Sequence, residues 1–191
     1  MKRLLSIWIM VLFAVQPIFG QATAQKFKKT YKNQNESNVA WFATYVDDPD
    51  TNGTNLRETP GGKVGKVIHP SLEESRVFTV SLLESWEGWF RIGQEIDILD
   101  EDTLVLGKSL WIHGSLLKAS TTNYDGEVLS FYQKPDRKSK VVFTVNTEVS
   151  VSFVAIEQGW AKVKYVSPTQ KVYVGWIPIE QLCGNFVTNC S

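Results

Sequence analysis

The chain has 191 residues, of which 20 are basic and 20 acidic, for a formal net charge of zero. That balance supplies no cationic surface for a phosphate backbone, so the sequence predicts no nucleic-acid partner. The only histidines, His69 and His113, and the only cysteines, Cys183 and Cys190, do not make up a four-ligand zinc site at metal spacing.

The N-terminus predicts export. Lys2-Arg3 is a short positive region, Leu4 to Phe19 is an apolar run broken by Gln16-Pro17, and Ala22-Thr23-Ala24 is a small-x-small site. This is the pattern of a cleaved signal peptide over 1–24, with Gln25 as the first mature residue, although cleavage after Gly20 also fits. The run is short for a membrane span, and an uncleaved anchor is the alternative. No cysteine near the cleavage site offers a lipid anchor, and no later apolar run is long enough to cross a bilayer. A periplasmic or secreted protein is expected. Without Lys2 and Arg3 the mature chain keeps 18 basic against 20 acidic residues, a formal charge of −2.

Residues 25–38, QKFKKTYKNQNESN, are polar and aperiodic and predict a flexible leader. Val39 to Val46 alternates as a strand, with Trp41, Ala43 and Tyr45 on one face and Phe42, Thr44 and Val46 on the other. Asp47 to Thr54 reads as an acidic turn. Asp48, Asp50 and Asn52-Gly53 also match the opening of a calcium loop, but Thr59 stands where its twelfth-position glutamate belongs. Thr54 to Ile68 predicts a strand, a reversal at Pro60-Gly61-Gly62 and a second strand.

Arg76 to Leu83 is another strand candidate, followed by the turn-forming Glu84-Ser85-Trp86-Glu87-Gly88-Trp89. Residues 94–107 form an acidic excursion, read as an inserted hairpin. Residues 119–123 lie in a polar stretch read as a linker.

Beyond it the pattern returns. Phe131-Tyr132-Gln133-Lys134-Pro135 stands for Leu56-Arg57-Glu58-Thr59-Pro60. Gly159-Trp160-Ala161-Lys162-Val163 stands for Gly88-Trp89-Phe90-Arg91-Ile92, and Gly175-Trp176-Ile177 through Leu182 stands for Leu110-Trp111-Ile112 through Leu117. The offset falls from 75 at the proline to 71 at the first tryptophan and 65 at the second, as longer loops in the first copy require. Val141 to Ile156 alternates over a length that fits a strand or hairpin.

These landmarks resemble bacterial SH3 domains, small β-barrels found mostly outside the cytoplasm. Asn55, Leu56, Arg57, Pro60, Val67 and Ile68 match that family's opening signature. Gly88-Trp89-Phe90-Arg91-Ile92 matches its second landmark; Trp111, Ile112 and Leu117 match its third, with Leu110 where a glycine is usual. The resemblance covers roughly residues 40–184. It implies an all-β chain of two tandem small SH3-like β-barrels: 39–118, carrying the inserted hairpin, and 124–184. Many short β-patterned runs with turn signals between them agree with that class.

No H-E-x-x-H, G-x-S-x-G or glycine-rich phosphate loop is present, so no catalytic residue, cofactor or metal is expected, and the chain is not expected to be an enzyme. The resembling domains sit beside cell-wall hydrolases, which implies a non-catalytic module binding peptidoglycan or its stem peptides. By position the candidate ligand residues are Tyr45, Asp48, Asp50, Trp86 and His113 in the first copy and Tyr132 in the second. Trp86 is surplus to the landmark filled by Trp89; it either contacts ligand or covers a sheet edge. Trp89, Trp111, Trp160 and Trp176 are expected in the core, and Arg57 beside a local carboxylate. The alternative is an interaction or inhibitory scaffold that meets another exported protein through the acidic hairpin. Cys183 and Cys190 are expected to pair and close the tail 183–191, adding ~2–3 kcal/mol on a chain-entropy argument.

Overall fold

Alternation of apolar and polar residues dominates the chain, and the computed structural model, which describes residues 42–69, 77–98, 103–185 and Cys190, is accordingly all-β. The signal peptide, the leader, Trp41 and the centre of the acidic hairpin (99–102) lie outside the described residues. The strands are β1 Phe42–Val46, β2 Thr54–Arg57, β3 Val64–Ile68, β4 Phe78–Trp86, β5 Trp89–Ile98, β6 Leu104–Val105 and β7 Trp111–His113. They continue with β8 Leu117–Thr121, β9 Leu129–Tyr132, β10 Val141–Val145, β11 Ser150–Glu157, β12 Trp160–Val166, β13 Val172–Pro178 and β14 Leu182–Cys183. Single 3-10 turns, Gly114–Leu116 and Ile179–Gln181, precede β8 and β14. Among the described residues no helix is long and apolar enough to cross a membrane.

All the pairings are antiparallel and run through one sheet ordered β10-β9-β13-β12-β11-β8-β1-β4-β5-β7-β2-β3, with β14 on β8 and β6 on β5. Counted from β1 the order is β1-β4-β5-β7-β2-β3; counted from β8 it is β8-β11-β12-β13-β9-β10. The same arrangement thus occurs twice, at the offsets legible in the sequence. Arg57 and Arg91 both pair with Trp111, as Tyr132 and Lys162 pair with Trp176. Trp89 pairs with His113 as Trp160 pairs with Pro178. Both halves carry a register shift at the same place, between Leu82 and Glu84 and between Phe153 and Ala155. The hairpins β4-β5 and β11-β12 turn on Glu87-Gly88 and Gln158-Gly159, all at positive φ, as a two-residue type I′ turn requires.

The stretch expected to link the halves is instead occupied by β8 as far as Thr121. Leu117, Ala119 and Thr121 are buried, alternating with half-buried Lys118 and Ser120. One edge of β8 pairs with β11. Its other edge takes β1 at Leu117 and Lys118, then β14 at Ser120 and Thr121. β8 therefore closes the first repeat and opens the second. Phe42 lies 5.7 Å from Phe153, and Phe153 lies 6.0 Å from Phe90, so aromatic packing also crosses between repeats. The described residues of 39–191 form one compact unit accordingly.

The core takes the inward member of each alternation: Leu56, Phe90, Ile92, Ile112 and Leu117 in the first half; Phe131, Ala161, Val163, Ile177 and Leu182 in the second. Leu110 is buried as well, and its Cδ2 would lie 3.0 Å from a Cβ built on Gly65, so its bulk fills the space over β3. The expected insertion over 94–107 continues β5 into a ladder with β6, Ile96 opposite Leu104, and Leu106 N–H bonds the Gln94 carbonyl at 2.6 Å. Cys183 and Cys190 are joined with Cα atoms 5.4 Å apart, which ties the tail to β14.

Candidate functional site

The β4-β5 hairpin places Trp86 and Trp89 opposite one another across its two-residue turn. Directly paired residues share a face of the sheet. Phe90 and Ile92 point inward, so Trp89 and Arg91 point outward, joined by Glu84 and by His113 on β7. Trp86 and Trp89 are half-buried and His113 is exposed.

Contacts within this group hold it in place. Trp89 meets the His113 ring edge-on at 5.1 Å. The Arg57 guanidinium lies 5.8 Å from the Trp89 ring centroid, a cation–π contact. Its Nη1 donates to the Gly62 carbonyl at 2.6 Å, a main-chain partner rather than the expected carboxylate. Gly62 belongs to the Pro60 turn, where Gly62 N–H bonds the Thr59 carbonyl at 2.9 Å and Gly61 has φ +65°, the arrangement of a type II turn. Arg91 is paired with Glu84 on the neighbouring strand. His113 Nδ1 lies 2.8 Å from Ser115 Oγ and accepts the Ser115 N–H at 3.3 Å, capping the 3-10 turn. Lys108 reaches Glu58 Oε1 at 2.9 Å, and this hydrogen bond and charge hold the Glu58 carboxyl below its usual value of 4.5.

Of the landmark tryptophans expected in the core, only Trp111 is buried, at 4% exposure; Trp89, Trp160 and Trp176 are half-buried on the outer face. The reason is parity. Each follows or precedes an inward residue on its strand; Trp111, before inward Ile112 and paired with Arg57 and Arg91, shares that outer face although it is covered there.

The six residues singled out in the sequence fall into three places. Trp86 and His113 flank Trp89. Tyr132 takes in the second half the place of Arg57, its ring edge-on to Trp160 at 5.7 Å where Arg57 lies over Trp89. Tyr45 lies at the other end of β4 from Trp86, opposite Thr79 and Lys118. Asp48 and Asp50 make their own turn: Asp48 Oδ1 accepts the Asp50 N–H at 3.0 Å, and Asp50 Oδ1 accepts the Asn52 N–H at 2.9 Å. Among the described residues no group of three His, Cys, Asp or Glu is arranged to hold a metal ion.

Sequence reasoning passed over Trp89, Arg91 and Glu84 as parts of this surface. The alternation Trp89-Phe90-Arg91-Ile92 carried the signal, since two large inward residues leave the other two outside.

No protein-family model matches the chain, and no curated protein matches it. Among solved structures it is similar to NlpC1 from Trichomonas vaginalis, at 14% identity and a TM-score of 0.30, over 78% of this chain and 47% of that one. It is likewise similar to NlpC2 from Trichomonas vaginalis, at 13% identity and a TM-score of 0.29, over 78% of this chain and 49% of that one. The chain thus spans about half the length of either structure.

Proposed function

We propose that this chain is an exported, non-catalytic binding protein built from two SH3-like barrels, and that it holds peptidoglycan or its stem peptides on the outer face around Trp86 and Trp89. The observation that carries this reading is the Trp86–Trp89 pair at the hairpin tip, half-exposed and braced by Arg57 and His113. Aromatic rings held rigid in advance present contact area at low entropic cost, which is what a shallow binding surface needs. The resemblance to bacterial SH3 domains supports the choice of wall material. Trp86 and His113 are the central contacts in this reading, and Tyr132, in the place of Arg57, is the contact of the second half.

The test is retention of residues 25–191 on purified sacculi over a range of salt. Retention that soluble muropeptides compete away, and that Trp86→Ala weakens without lowering the melting temperature, supports the reading. A protein that passes through unretained overturns it.

A second reading has one observation in its favour. Val105 is 66% exposed on β6, whose one pairing among the described residues is with β5. An apolar residue on a strand edge can meet a partner protein. Under this reading the acidic hairpin captures another exported protein, and Val105→Lys abolishes the capture.

A further inference from the structure

The two halves repeat their backbone but not their charges, and the difference is sharpest at one position. On β5 Arg91 is closed off by its ion pair with Glu84, the residue opposite it. Its counterpart on β12 is Lys162, and the residue opposite is Ala155. The Lys162 ammonium has no hydrogen bond or ion pair among the described residues. It is nevertheless framed. Trp160 stands two residues before it, Trp176 opposite it on β13, and Tyr132 opposite Trp176 on β9. Ala161 and Val163 are buried, so Trp160, Lys162 and Lys164 all face outward. Lys164 adds a second ammonium ~7 Å further along the strand.

We propose that this face of the second half is a binding site for an acidic glycan, a chain of uronate-type sugars. The aromatic rings offer apolar planes to the C–H faces of pyranose rings. Tyr132 and Trp160 meet at 88°, so they present separate planes rather than a slot for stacked bases. The two ammoniums match carboxylates borne on such a chain. Glu157 faces Trp160 at the hairpin tip, which places the anion's seat toward Lys164. The inference does not rest on wall binding by the first half.

The experiment titrates the mature protein with oligogalacturonate, with a neutral cello-oligosaccharide of equal length and with oligothymidylate, following tryptophan fluorescence at low and moderate salt. Saturable binding of the uronate chain is the expected result, with the neutral chain weaker. Lys162→Gln then lowers affinity about fivefold, the scale of one partly exposed charge pair. Ala155→Glu rebuilds over Lys162 the pair that Glu84 makes with Arg91; it gives a similar loss while leaving every lysine in place. Trp86→Ala leaves uronate binding unchanged, so this site and the first half's surface fail separately. Melting curves of each variant establish that it is folded. Equal binding of neutral and acidic chains, tighter binding of oligothymidylate, absence of binding, or full affinity in folded Lys162→Gln and Ala155→Glu each overturns the proposal.

Discussion

The Ser85 hydroxyl accepts the Ile156 N–H at 2.9 Å and donates to the Ile156 carbonyl at 3.2 Å. The two residues are 71 apart, the offset that relates Trp89 to Trp160, so they are one position of the repeat seen twice. A single hydroxyl satisfies both main-chain polar groups of half-buried Ile156 across the junction.

Ser85→Ala removes that hydroxyl and leaves both groups of Ile156 without it. A loss of about 1–3 kcal/mol is expected, the cost of an unsatisfied buried polar group. Urea unfolding measures it, and the transition stays single because β8 is common to the two repeats. Two separated transitions in the wild-type protein would contradict the shared strand.

Gly184 sits where β14 and β1 converge on one edge of β8. A Cβ there would lie 1.8 Å from the Ala43 carbonyl oxygen. Gly184→Ala forces main chain from main chain and is expected to cost about 1–3 kcal/mol or more. The same change at Gly107, where a Cβ meets nothing within 4 Å, serves as the control. Equal melting temperatures for the two variants would contradict the packing described.

Arg57→Lys keeps the charge but loses the planar guanidinium that lies over Trp89 and bonds the Gly62 carbonyl. The expected cost is about 0.5–1 kcal/mol of stability, the scale of an exposed cation–π contact. Trp89 is freed with it, so its fluorescence becomes more accessible to a soluble quencher. An unchanged quenching constant would show that Arg57 does not brace the ring.

Reduction, or Cys190→Ser, opens the Cys183–Cys190 loop. The chain-entropy estimate for so short a loop is ~2–3 kcal/mol. Cys183 lies on β14 opposite Ser120, so the effect should reach β8 and not only the tail. Hydrogen exchange of the β8 amides reads this directly.

Glu58 has its carboxyl pKa depressed by Lys108 in the folded state. A depressed pKa adds stability that is present above the unfolded value and lost as pH falls through the folded one. The pair is solvent-exposed, so the effect is small and disappears in salt. Lys108→Met should flatten the acid side of the stability profile below pH 4.5, and a profile identical to wild type would remove this pair as its cause.

The repeat was legible in the sequence because its landmarks are punctuated by turns: Pro60 and Pro135, Gly88 and Gly159, then a tryptophan with a leucine six residues later. The strand β8 was not. Its inward residues after Leu117 are Ala119 and Thr121, too small and too polar to signal burial, although both are fully enclosed. They take the places that Thr44 and Val46 hold in β1, and the likeness between ATYV and KAST is too faint to read without the pairing. The outer surface was half legible. Trp86 was singled out for being surplus, and His113 by position. Arg91 and Glu84 were missed because an ion pair across a register shift depends on strand pairing, which spacing within one strand does not reveal. Lys162 was missed for the complementary reason, since the absence of an acid opposite it is a property of β11.

A strand that ends one repeat and begins the next also sets what evolution or an engineer can do with the chain. The halves are not interchangeable beads, because neither carries a complete set of strands without β8. Duplication or deletion would have to cut in the frame from β1 to β8, so that every unit inherits one opening strand and lends its last. β14, where the Cys183–Cys190 bridge begins, is where such a series would resume.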